Sequence, residues 1–235
     1  MSFTRKLLAW YKRNARVLPW RQTRNPYAIL VSEFMLQQTQ VSRVLDYYPR
    51  FLKRFPTIGA LARSRPKAVM EAWDGLGYYA RARNLHNLAK QIAEAGHRIP
   101  DDPEELRTLP GVGRYTAGAV ACFAYEHPVP TVDTNVSRVL RRAFLGEWGV
   151  GSGTIRLKRT TPHSPRSRVD VWTLAESLIP KSRERAWRFN QALMELGALV
   201  CTARKPKCAE CPIKSDCLAV RGAARIRSPR SAHPR

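Results

Sequence analysis

Apolar positions recur at helical spacing along almost the whole chain, and no run alternates as a half-buried strand would. An amphipathic first helix fills residues 1–16, and a rigid aromatic corner, Leu18-Pro19-Trp20-Arg21, follows it. Asn25-Pro26-Tyr27 opens a second helix that runs to Leu36. Further helices are predicted over residues 41–55, 61–73, 84–95, 103–109, 115–125, 133–140, 171–179 and 187–199. The chain therefore reads as all-α, without an internal repeat.

Two glycine-rich turns punctuate this pattern. Leu109-Pro110-Gly111-Val112-Gly113-Arg114 joins a short helix capped by Asp101 or Asp102 to an apolar, small-residue helix. Gly111 and Gly113 permit close approach, and the second helix aims its free N–H groups outward beside Arg114. That is a seat for phosphate, so a DNA backbone is the expected visitor. The other turn, Gly75-Leu76-Gly77-Tyr78-Tyr79-Ala80-Arg81-Ala82-Arg83, sets adjacent tyrosines beside two arginines, a pairing suited to base stacking and phosphate contact.

Charge strengthens that reading. Lys plus Arg number 41 against 18 Asp plus Glu, a formal charge of +23, which calls for a polyanionic partner. A membrane is excluded on this reading, because no apolar run approaches the roughly 20 residues of a spanning helix. The basic segment 146–168 reads as a mobile loop, and the chain after Cys217, rich in Arg, Ser, Pro and Ala, as disordered.

Candidate chemistry sits at few positions. Glu33 lies inside an apolar helix, where a carboxylate either turns to solvent or sits desolvated as a general acid does; taken alone, it reads as turned to solvent. Gln37-Gln38-Thr39-Gln40 suits wedging into a base stack or, equally, a solvated helix end. Asp133 occupies a helix N-cap position, where a carboxylate stays ionised. Arg21 is placed to reach a phosphate or a carboxylate. Cys201, Cys208, Cys211 and Cys217 form C-x6-C-x2-C-x5-C, a spacing that closes around one ion or one cluster, with zinc the default. The lysines and arginine between the first two form a short basic loop, a candidate DNA clamp. Such clustering fits a reducing cytoplasm better than a secreted disulfide framework, and Cys122 reads as a buried packing residue.

Together, Leu18 to Arg21, Ser32-Glu33-Phe34-Met35-Leu36-Gln37-Gln38-Thr39-Gln40-Val41, Gly75 to Arg83, Leu109 to Ala119, Asp133 to Leu140 and the four cysteines resemble the helix-hairpin-helix (HhH-GPD) DNA glycosylases that carry an iron–sulfur cluster, and most closely their adenine-specific branch. The resemblance implies an endonuclease III-like fold of two helical parts: a six-helix domain over 22–131, and a cluster domain of 1–21 with 132–218, leaving a basic disordered tail over 219–235. It implies a [4Fe–4S] cluster on the four cysteines in place of zinc. Glu33 would protonate adenine, Asp133 would face it across a cleft and stabilise the sugar cation, and Asn135 and Tyr115 would complete the polar shell. Gln38 and Tyr78 would wedge into the stack, Gln37 would contact the flipped base or its partner, and Arg21, Arg81, Gly111, Gly113 and Arg114 would hold the backbone. Bifunctional relatives carry Lys where Tyr115 stands, so a monofunctional enzyme is implied.

The expected partner is double-stranded DNA with a mispair, bound by a monomer on the nucleoid. Tyr115 occurs in both adenine and thymine-mismatch enzymes. Gln-Gln-Thr-Gln and Gly-Leu-Gly-Tyr-Tyr favour adenine opposite 8-oxoguanine or guanine, with thymine or uracil opposite guanine as the alternative. A non-catalytic lesion-binding protein is the reading from another class, and the presence of both Glu33 and Asp133 opposes it. Two departures from the family stand out: the basic insertion at 146–168, and an end soon after the cysteines, where adenine-specific members continue into a domain that senses 8-oxoguanine.

Overall fold

A computed structural model describes residues 2–96, 98–147 and 170–227, with side chains up to 222. Most of the expected basic loop and residues 228–235 of the expected tail lie outside the described residues. Every regular element among the described residues is helical, and none of the helices is long and apolar enough to cross a membrane.

The chain divides into two compact units, one of residues 17–131 and one of residues 1–16 with 132 onward. The first, the hairpin unit, holds α2 (Pro26–Leu36), α3 (Val41–Arg54), α4 (Ile58–Ala62), α5 (Pro66–Trp73), α6 (Ala80–Glu94), α7 (Pro103–Arg107) and α8 (Arg114–Tyr125). Seven helices thus stand where six were expected. The single helix read over 61–73 is two, because Pro66 begins α5 at its first turn and Arg65 before it is extended. The aromatic corner also belongs here rather than with the N-terminal helix: Trp20 is buried and meets Tyr48 edge-on at 5.5 Å.

At the centre of this unit lies α2, buried on every side from Tyr27 to Met35. A helix apolar all round has no solvent face to offer. Its neighbour α8 is built of Ala, Gly and Thr so that backbones come close. A Cβ on Gly118 would stand 2.8 Å from the Pro130 carbonyl, so the extended connection after α8 lies directly on it.

The second, the cysteine unit, holds α1 (Phe3–Asn14), α9 (Thr134–Leu140), a π-turn (Arg141–Leu145), α10 (Val171–Leu178), α11 (Arg183–Leu199) and α12 (Leu218–Arg227). Its core joins Leu7, Trp10, Val136, Val139, Leu140, Phe189, Leu193 and Leu196. The expected disorder from residue 219 is corrected by α12. The Arg-rich composition hid Leu218, Ala219 and Val220, and Ala219 is 1% exposed where the helix returns onto the core. Glu195, wholly buried, receives the Arg16 side chain in two bonds of 2.7 and 2.9 Å and its backbone N–H in a third, which ties the end of the N-terminal segment to α11.

Candidate nucleic-acid interface and metal centre

Glu33 does not turn to solvent. It is 3% exposed in the last turns of α2, because that helix has no polar side. Four residues on, the backbone breaks: Gln37 leaves the helical region and Gln38 is left-handed, with φ at +56°. Tyr78, in the Gly75–Tyr79 turn, is left-handed too, at +49°, and 62% exposed. Both strained residues open onto one cavity of about 540 Å³, bordered also by Gln37, Tyr79, Arg81 and Arg83. The two segments singled out as stack wedges are therefore neighbours in space.

Arg81 was expected on a phosphate, and the structure corrects that. Its side chain is buried at 7% exposure. One guanidinium nitrogen, Nη1, donates to the carbonyls of Phe34 (3.1 Å), Met35 (2.8 Å) and Gln37, and the other, Nη2, to Leu76 (3.2 Å) and Gly77 (3.1 Å). The first three are carbonyls that a helix end leaves without intrahelical donors. Arg83, exposed on the cavity rim, is the better phosphate candidate of the two arginines in this turn.

In the hairpin, Asp102 caps α7 through the Glu104 N–H at 3.2 Å. Gly111 has φ at +77°, and a Cβ there would stand 2.9 Å from Asn84 and 3.0 Å from Phe34, so no other residue fits without a shift. At Gly113, by contrast, a Cβ would meet nothing within 4 Å. Gly113 is the N-cap of α8, and Gly113 and Arg114 are exposed with Tyr115 half-buried beside them. Arg21 is half-buried at the end of the short 3₁₀ turn.

Asp133, in the cysteine unit, is the α9 N-cap. Its Oδ1 accepts the Val136 N–H at 2.6 Å and its Oδ2 accepts Asn135 Nδ2 at 2.8 Å. Asn135 Oδ1 in turn accepts from Arg138 Nη2 at 2.8 Å, and the same nitrogen reaches the Gly197 carbonyl at 2.8 Å. Arg138 Nε then donates to the Cys201 carbonyl at 2.8 Å. A continuous chain of hydrogen bonds thus runs from the carboxylate to the first cysteine. Close packing supports it, since a Cβ on Gly197 would sit 2.8 Å from Asn135. Sequence reading missed Arg138 and Arg142, though two arginines four apart inside an apolar helix share one face and need buried acceptors.

Arg142 gathers the cysteine loop, donating to Thr202 O (2.7 Å), Ala203 O (2.9 Å) and Cys201 Sγ (3.4 Å). Cys201, Cys208, Cys211 and Cys217 border one cavity whose other walls are mainly apolar, among them Val139, Val200 and Ile213. Among the described residues, no three His, Cys, Asp or Glu side chains close around a single ion; the four thiols surround a space instead. Burial pushes the Cys211 thiol up to about 11 and raises Cys208 as well. Four sulfurs around a largely apolar pocket, with one guanidinium on Cys201, form a donor set that suits iron–sulfur binding, where cationic iron takes the thiolates.

Comparison with known proteins agrees. Residues 201–217 match the iron–sulfur binding domain of endonuclease III, so zinc gives way to a [4Fe–4S] cluster as the cofactor. The chain is 51% identical to an adenine DNA glycosylase of Mycobacterium tuberculosis over 88% of its own length and 64% of that protein's. To the adenine DNA glycosylase of Homo sapiens it is 41% identical, over 93% of this chain and 39% of the relative. It therefore spans less than two thirds of the length of these relatives. Among solved structures, a thermostable thymine-DNA glycosylase superposes with a TM-score of 0.79 at 28% identity, over 93% of this chain and 95% of that one. An endonuclease III trapped on DNA superposes at 0.74, with 23% identity, over 95% of each chain. Residues 31–156, more than half of the chain, match the HhH-GPD superfamily of base excision DNA repair proteins, and to that family this chain belongs.

Proposed function

We propose that the chain is a monofunctional DNA glycosylase of base excision repair that removes adenine mispaired with 8-oxoguanine or guanine. The observation that carries the reaction class is Glu33, a carboxyl buried at 3% exposure one turn before an exposed, strained turn. Desolvation disfavours the charged form of such a group, the condition a general acid needs. The choice of adenine rests on the 51% identity with an adenine DNA glycosylase over most of this chain.

On this reading the target nucleotide leaves the stack, since its glycosidic bond is out of reach inside a duplex. Glu33 delivers a proton to a ring nitrogen of adenine and makes it a neutral leaving group. As the bond breaks, positive charge grows on the sugar, and the Asp133 carboxylate faces it. Both Asp133 oxygens are fixed by hydrogen bonds from Val136 and Asn135, so little reorganisation is needed when that charge appears. A water molecule then adds to the anomeric carbon of that cation and gives up a proton to solvent; Tyr115 has no amine to form a Schiff base in its place, so the sugar is left as an intact abasic site. Gln37, Gln38 and Tyr78 fill the gap in the stack, while Gly111, Gly113, Arg114, Arg21 and Arg83 hold the backbone of a mispaired duplex against a monomer working on the nucleoid. The cluster, when bound, supplies a cross-link between four thiolates and takes no part in proton transfer.

A second reading is thymine or uracil excision opposite guanine, which the superposition on a thymine-DNA glycosylase, at a TM-score of 0.79 and 28% identity, favours. Base release from duplexes holding A, T or U opposite G or 8-oxoguanine separates them: release of adenine alone is expected, without strand breakage before alkali. Release of T or U alone would replace adenine as the substrate. Strand breakage without alkali would remove the monofunctional assignment.

A further inference from the structure

Two non-glycine residues with left-handed backbones, Gln38 and Tyr78, stand on different turns and share one cavity. Such conformations persist only where the surroundings over-determine them. One side chain reaches the carbonyls of both turns. Arg81 Nη1 holds the frayed end of α2 at Phe34, Met35 and Gln37, and Nη2 holds Leu76 and Gly77. Its guanidinium carbon lies 5.4 Å from the centre of the Tyr78 ring and 5.6 Å from that of Trp73, whose indole N–H also donates to Gly77 O at 3.2 Å. The two terminal nitrogens of the planar Arg fork, with four N–H groups aimed in different directions, reach carbonyls on two segments at once; a lysine ammonium, with three donors at one point, cannot.

The geometry points to Arg81 as a positioning residue that locks Gln38 and Tyr78 into one preformed double wedge for a duplex. Arg81 touches no nucleotide on this account; it sets the spacing and direction of the two side chains that do. The wedge then enters a base stack without first having to be ordered, and the benefit falls on a distorted duplex, where the stack yields, far more than on a matched one. This inference rests on the proposed glycosylase reading for its substrate, while the coupling of the two turns stands apart from it.

The test has two arms. In the full chain, native-state hydrogen exchange of wild type should show the amides of residues 37–40 and 75–79 opening as one unit. Arg81→Lys should speed exchange at least tenfold in both segments and leave α8 unchanged. Two segments that open independently, or only one that responds, would overturn the lock, and the wild-type measurement decides this even if the variant does not fold. In the second arm, affinities for an A·8-oxoguanine duplex and a matched duplex are compared. Arg81→Lys should lower the ratio at least tenfold by weakening the mispair complex, with matched-duplex affinity within twofold of wild type. An unchanged ratio would overturn the wedge role. If wild type itself shows neither preference nor adenine release, the glycosylase reading has failed, and the exchange arm still decides the lock.

Discussion

The two units hold their candidate carboxylates in opposite ways. In the hairpin unit Glu33 is held by burial: an all-apolar helix carries it away from water, and the nearby turns are tied by Arg81 to backbone carbonyls of the same unit. In the cysteine unit Asp133 is only half-buried and is held by a chain of bonds through Asn135 and Arg138 to Cys201. Each unit uses a buried guanidinium to collect orphan carbonyls. The difference is what lies at the far end. Arg81 ends on protein, whereas Arg138 and Arg142 end on a loop whose own shape depends on its cofactor. On the proposed reading Glu33 should therefore be indifferent to the cluster and Asp133 sensitive to it.

The largest effect is expected from removing the proton. Glu33→Gln keeps shape and hydrogen bonding, so single-turnover adenine release should fall by at least about 10²–10⁴-fold while duplex binding persists. Near wild-type release would show that Glu33 is not the acid. The comparison sharpens with Cys208→Ser. Iron content and visible absorption should drop, and amides of α9 and of the end of α11 should exchange faster, while those around Glu33 in α2 stay as they were. Equal loosening of both units would erase the contrast drawn between them.

How far the sequence foretold this follows from the same contrast. Glycine turns, caps and cysteine spacing are local signals, and Gly111, Asp102, Asp133 and the cysteine loop stand where spacing placed them. Burial is a sum over neighbours distant in the chain, so Glu33 read as solvated and Arg81 as a phosphate ligand. Nothing within a few residues of Arg81 announces that three of the five carbonyls it takes lie at the end of α2, 44 to 47 positions earlier. Arg138 was hidden for the same reason, since its acceptors belong to the end of α11 and the first cysteine.

A smaller effect should follow from the pair that fixes the end of the N-terminal segment. Glu195 is wholly buried and Arg16 about a third exposed. Arg16→Ala strands a buried carboxylate, and a loss of about 3 kcal/mol is expected, the low end for breaking a buried pair because its cation is partly solvated. Denaturant melts followed by exchange should place the loss in α1 and α11. A variant as stable as wild type would show that the pair contributes nothing net, as replaced ion pairs sometimes do.

The smallest expected effect is on pH dependence, and it belongs to the hairpin unit. His86 on α6 is 3% exposed, and its Nε2 is buried without a hydrogen-bond partner. Burial, with Lys90 nearby, lowers its pKa from 6.5, against backbone hydrogen bonds around residues 61–64 that raise it. The folded chain therefore keeps His86 neutral where the unfolded chain has begun to take up a proton. Stability from this group is full above pH 6.5 and is lost as pH falls through the depressed folded value, at no more than about 1.4 kcal/mol per pH unit. His86→Gln cannot titrate, so its stability between pH 7.5 and 5 should decline less steeply than that of wild type. Parallel slopes would mean that His86 is free to charge in the folded state, and that the pH sensitivity of this unit lies elsewhere.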